Sequence, residues 1–127
     1  MKQDNKKTGV IGEKAAEEFL RKKGYEILER NFRTKFGEID IIAKEKRKGA
    51  TLPITVFVEV KTKSGEEFGE PWEMVDGRKL EKVKRMAELY LMKKRLGEVA
   101  CRIDVVGVWL DGEGEVEKIE HWDNVGG

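Results

Sequence analysis

Residues 56–63 read VFVEVKTK, and the way this stretch folds decides the rest of the molecule. Val56, Phe57, Val58 and Val60 make the apolar run of a strand bound for a hydrophobic interior, yet Glu59 and Lys61 interrupt it. Successive side chains along a strand point to opposite faces. Ile54, Val56, Val58 and Val60 therefore share one face, and Thr55, Phe57, Glu59, Lys61 and Lys63 share the other. An acid and an amine side by side on such a strand are either a solvated ion pair, worth about 0–1 kcal/mol, or the working groups of a site.

The stretch GEIDIIAK, residues 37–44, repeats the pattern of acid within an apolar strand. Ile39, Ile41 and Ala43 fall on one face; Glu38, Asp40 and Ile42 fall on the other. Between the two stretches EKRKGATLP is charged and turn-like, so the strands are expected to pair as an antiparallel hairpin that brings Asp40 near Glu59. Two carboxylates brought together repel unless a cation lies between them. Mg²⁺, a hard ion that takes one or two carboxylates and keeps several waters, suits such a pair. Lys61 beside it would orient or deprotonate an attacking water, or meet charge developing on a phosphate.

Working outward, residues 8–24 (TGVIGEKAAEEFLRKKG) read as a helix capped by Thr8 and stopped by Gly24, with Ile11, Ala15, Ala16, Phe19 and Leu20 as its apolar stripe. A short strand is expected over 25–30, a loop over 64–77, and a second helix from Arg78 to Leu96 ended by Gly97. Strands over 99–110 and 116–121 flank a DGEG turn. The order α-β-β-β-α-β-β predicts an α/β fold, a central mixed sheet flanked by helices, in one domain spanning residues 1–127.

The bulk composition sets limits. Lys and Arg number 26 against 25 Asp and Glu, a net charge of +1, so any contact with nucleic acid must come from locally segregated charge. The single cysteine, Cys101, excludes an internal disulfide framework and suits a reducing compartment. No apolar run approaches the roughly 20 residues of a membrane span, and the polar N-terminus lacks the core of a signal peptide. A cytoplasmic domain is expected.

GEIDIIA, a short insert and then VFVEVKTK resemble the nuclease core of the restriction-endonuclease-like superfamily, whose pattern is Asp, a spacer, then Asp/Glu-x-Lys. The chain is more closely similar to the YraN-like family of small predicted endonucleases, related in pattern to archaeal Holliday-junction resolvases. GEKAAEEFLRKKGYEILERNFR, FGEP, KLEKVKRMAELYL and RIDVV carry the resemblance over nearly the whole chain. The resemblance implies a Mg²⁺- or Mn²⁺-dependent endonuclease on DNA, branched or otherwise structured DNA included, and a homodimer where both strands are cut. It implies that Asp40, Glu59 and the Val60 carbonyl hold the metal, that Lys61 is the catalytic lysine, that Glu13 is an additional acid on the first helix, and that Glu38 is auxiliary.

Lys79 and Lys82 at the start of the second helix, Lys63, and Arg33 and Lys35 near the core's entrance are candidates for backbone phosphates. On an exposed helix the same lysines are simply solvated. Arg102 and Asp104 fall on one sheet face and read as a structural pair. Trp72 could stack on a base or cover the core; Trp109 and Trp122 read as packing. His121, the only histidine, has no Cys or His at zinc-ligand spacing. A non-catalytic DNA-binding or protein-interaction module that keeps the nuclease fold is the alternative reading.

Overall fold

The hairpin forms as its sequence predicts, and the sheet grows from it. In the computed structural model, which describes residues 2–46, 48–49, 52–64, 77–97 and 99–125, the elements run α1 (Lys2–Lys22), β1 (Glu26–Thr34), β2 (Gly37–Glu45), β3 (Ile54–Ser64), α2 (Gly77–Lys93), β4 (Cys101–Leu110) and β5 (Val116–Trp122). The five strands lie in sequence order. β1–β2, β2–β3 and β4–β5 are antiparallel; β3 and β4 are parallel, joined by the crossover that carries α2.

The two helices cover opposite faces. Ala16 and Leu20 of α1 pack with Ile41, Ala43, Val56, Val58, Val60, Val106 and Val108. Val83, Met86, Ala87 and Tyr90 of α2 pack with Phe32, Ile39, Ile42, Phe57 and Ile103. β3 is thus buried on both sides, as its apolar run demands, and full burial of a side chain such as Phe57 contributes about 1.5–3 kcal/mol.

Element ends differ from the sequence reading in informative ways. Thr8 does not cap α1: the polar segment before it, with three lysines and no proline, continues the helix back to Lys2. Gly24 stops α1 as expected, in the left-handed region at φ 96°, with Tyr25 N–H donating to the Leu20 carbonyl. α2 ends earlier than expected, because Arg95 rather than Gly97 takes the left-handed cap position, at φ 54°, with Leu96 N–H donating to Leu91 O. β1 reaches Thr34, past the expected 25–30, because pairing with β2 persists to Thr34↔Gly37 around a two-residue turn.

One alternation in the sequence reading fails. Ile41 and Ala43 face α1 as a pair, but Ile39 packs with Ile42 on the α2 side. The strand changes face at Asp40, and across from it β1 also departs from extended geometry, with Asn31 at φ 51°. A left-handed residue reorients the chain, so simple period-two counting does not survive it.

Candidate active site

The ladder between β2 and β3 runs from Glu45↔Ile54 to Ile41↔Val58, and Asp40 is the next residue of β2. There the strands part, which takes the Val60 N–H away from a strand partner. Asp40 Oδ2 accepts it at 2.7 Å, so one carboxylate oxygen replaces a sheet carbonyl and fixes the acid at the fork. The contact is with the Val60 N–H; the carbonyl is the group that the family resemblance assigns to a metal.

α1 brings a further acid to the fork. A Cβ at Gly12 would lie 1.8 Å from Thr62 Oγ1, so only glycine lets the helix come this close to β3. Glycine inside a helix costs about 0.5–1 kcal/mol relative to alanine; here it seats Glu13 beside the strand ends. Oxygens of Glu13, Glu38 and Asp40 lie within 4.8 Å of one another. Glu13 also lines a polar cleft with Lys61, Lys63 and Thr8.

Glu59 stands outside that trio but lines a second cleft, of about 510 Å³, with Asp40, Glu38, Arg78, Lys79 and Lys82. It is 2% exposed. Its Oε2 lies 3.4 Å from Lys79 Nζ, while its Oε1 is buried without a hydrogen-bond partner among the described residues. A buried carboxylate oxygen left unpaired costs on the order of 1–3 kcal/mol, more when charged. Burial, together with the Glu59 carboxylate, pushes Asp40 up to about 7 against the Val60 N–H that opposes it. Burial raises Glu59 as well, although Lys79 and Lys61 pull it down. Lys61, half-buried, is lowered by burial and then by Lys79. Burial lowers Lys79 too, but its contacts with Lys61 and Glu59 outweigh that and raise it.

The structure thus gathers Glu13, Glu38, Asp40, Glu59 and Lys61 around the fork. Lys82 and Lys63 line the clefts on its two sides. Lys79 makes its ion pair with Glu59, and Arg33, 80% exposed, pairs with Glu38 at 2.9 Å. Lys35 lies over the Phe36 ring. Trp72 and the FGEP segment lie outside the described residues. Trp109 and Trp122 pack edge to face, centroids 6.3 Å apart. Sequence reading did not single out Gly12 or Asn31, although each carried a signal: a glycine within a helical apolar stripe marks a close approach, and asparagine tolerates left-handed backbone.

Arg102 and Asp104 sit on the α1 side of β4 and are fully engaged. Arg102 donates to Asp104 Oδ1 at 2.9 Å, to Glu45 Oε1 at 2.6 Å and to the Tyr25 hydroxyl at 2.6 Å. Asp104 also takes the Asn124 N–H at 3.0 Å and faces His121 Nε2 at 2.7 Å. Lys23 Nζ lies 2.8 Å from His121 Nδ1, which leaves the ring proton on Nε2, aimed at Asp104.

Comparison with known proteins places the sequence in a family. The pattern described as "Uncharacterised protein family UPF0102" matches residues 12–108, a span holding Gly12, Glu13, Asn31, Glu38, Asp40, Glu59 and Lys61. A UPF0102 protein of Moorella thermoacetica is 45% identical over 94% of this chain and 95% of its own length. UPF0102 protein TTE1452 of Caldanaerobacter subterraneus subsp. tengcongensis is 44% identical over 95% of this chain and 96% of its own. One from Dictyoglomus turgidum is 42% identical, covering 95% and 98%. On that extent of matching, this chain belongs to the UPF0102 family.

Proposed function

We propose that this UPF0102 chain is a divalent-metal-dependent endonuclease that hydrolyses phosphodiester bonds in DNA, branched or structured DNA included. The observation that carries the reading is Glu59 Oε1, a buried carboxylate oxygen without a partner among the described residues, in the same cleft as an Asp40 pushed up to about 7. Two buried acids that both rise, Asp40 and Glu59, lack positive charge around them, and oxygen ligands favour a hard cation. The donor set therefore fits Mg²⁺ or Mn²⁺.

Asp40 and Glu59 would hold the ion, with the Val60 carbonyl, Glu13 and Glu38 as the remaining protein oxygens at hand. Bound there, the ion supplies charge neutralisation at a phosphoryl oxygen and a water of lowered pKa. Asp40 keeps its place because its Oδ2 is tied to the Val60 N–H. Lys61 orients the attacking water and meets the charge that develops on the phosphate. Lys63 on one side of the fork and Lys82 on the other are placed for the flanking phosphates. Cutting both strands would take two copies of the chain.

The test is cleavage of linear duplex, four-way-branched DNA and RNA by the purified protein with Mg²⁺ or Mn²⁺. Cutting of DNA is expected, and Asp40→Ala, Glu59→Ala and Lys61→Ala should each lower its rate by about 10²–10³-fold or more. A folded protein that cuts none of these with any divalent ion would sink the enzyme reading in favour of a non-catalytic binding module. RNA cut in preference to DNA would reassign the substrate.

A further inference from the structure

Asn31 is a strand residue with a left-handed backbone, φ 51°. The pairs Arg30↔Ile41 and Phe32↔Ile39 put it directly across from Asp40. Consecutive strand side chains normally point to opposite faces, yet Arg30 and Asn31 both reach α1: Arg30 bonds to Glu17, and Asn31 bonds to Glu13. The left-handed turn makes this double reach available.

Asn31 Nδ2 donates to Glu13 Oε1 at 3.1 Å and to Glu38 Oε1 at 2.7 Å. Both acceptors are carboxylate oxygens, so only the NH₂ end of the amide can face them, and its two hydrogens serve one acid each. Glu13 comes from a helix and Glu38 from a strand, and their like charges favour separation. The amide between them opposes that separation at no cost in added charge.

We infer that Asn31 is a positioning residue of the metal site, its side-chain amide clamping Glu13 of α1 to Glu38 of β2 beside Asp40. This rests on the reading of the fork as a cation site, which Glu59 Oε1, buried and without a partner among the described residues, supports independently from the cleft that Glu59 shares with Glu38 and Asp40. Asn31 touches no reacting atom; it acts through the two acids it holds. Groups of this kind typically govern metal affinity by 10–100-fold.

The experiment uses the full chain, with Mn²⁺ binding followed by calorimetry and thermal unfolding followed in EDTA. Asn31→Gly removes the amide while keeping a residue at ease in the left-handed region. Its Mn²⁺ affinity should fall by about 10–100-fold, with the unfolding temperature in EDTA unchanged. Asn31→Ser, which retains a single donor, should fall between the two and carries the test if the glycine variant does not fold. Equal Mn²⁺ affinity in wild type and variants would overturn the proposal, as would an affinity loss that merely tracks lost thermal stability. If wild type itself takes up no Mn²⁺, the cation reading fails and this inference with it, a result distinct from a wild type that binds and variants that bind as well.

Discussion

Two buried charge clusters flank the same parallel strand pair, and they are solved in opposite ways. Around Arg102, on the α1 side, each charge meets its complement: one guanidinium serves Asp104, Glu45 and the Tyr25 hydroxyl, and Asp104 takes the Asn124 N–H besides. At the β2–β3 fork, among the described residues, Glu59 Oε1 has no partner. The pKa directions follow. Burial raises Asp104, yet its bonds to His121, Arg102 and the Asn124 N–H win and hold it below the usual carboxylate range. At the fork burial wins, and Asp40 and Glu59 rise. Similar depth in the fold gives opposite outcomes because, among the described residues, one cluster is complete and the other is not. Completeness makes the Arg102 cluster a structural one; the deficit at the fork is what the proposed metal site rests on.

The largest effect that can break this contrast lies in the complete cluster. Arg102→Met takes the guanidinium from the buried Asp104, and removing one partner of a buried pair costs about 3–5 kcal/mol. Urea unfolding of the variant should show a loss of that size. A loss under about 1 kcal/mol would mean that water already screens the cluster and that the contrast is one of accessibility, not of completeness.

The pH dependence of stability sharpens the same point. A carboxyl whose folded pKa exceeds its unfolded value holds its proton more tightly when folded, so its contribution is present at low pH and is lost as pH rises. For Asp40 the window lies between its ordinary 3.8 and about 7. Asp104, depressed, does the reverse: its contribution is present above the ordinary range and is lost as pH falls below it. In EDTA, the unfolding free energy should therefore decline from about pH 4 to pH 7 by an amount on the order of 1–2 kcal/mol, taken as the difference between wild type and Asp40→Asn. Saturating Mg²⁺ should abolish that difference in slope. An identical pH profile for wild type and Asp40→Asn would show that Asp40 is not strained by its surroundings.

Much of this was legible in the sequence because burial on both faces leaves so distinct a mark. VFVEVKTK and GEIDIIAK gave the hairpin and its two acids through period-two spacing, and Gly24 gave the end of α1 through its freedom at positive φ. Period-two spacing also misled at one point: it set Ile39 with Ile41, whereas β2 changes face at Asp40, opposite the left-handed Asn31 of β1, and no local pattern in β2 marks that change. The proximity of Glu13 to Lys61 hinges on a helix–strand contact at Gly12 and Thr62, residues fifty apart in sequence, which no local pattern encodes. The Lys79–Glu59 pair is similar: helical spacing marks Lys79 as exposed, and only the packing of α2 over the fork turns it inward.

The smallest expected effect asks whether surface charge follows the same division. Lys82 lines the cleft at the fork, whereas Lys118 on β5 is 2.6 Å from Glu120 and lies over the Trp109 ring. If the fork is where nucleic acid sits, only the first lysine neutralises a phosphate. Binding of DNA by the Asp40→Ala protein, measured against salt concentration, should then lose about 0.7–0.9 from its log–log slope on Lys82→Ala and nothing on Lys118→Ala. The Asp40→Ala background, expected not to cleave, keeps the substrate whole, and the slope counts released counterions, so it separates a phosphate contact from a change in fold. Equal slopes for the two lysine variants would mean that DNA does not approach through the α2 side of the fork, and the cleft beside Glu13, Lys61 and Lys63 would become the side to test.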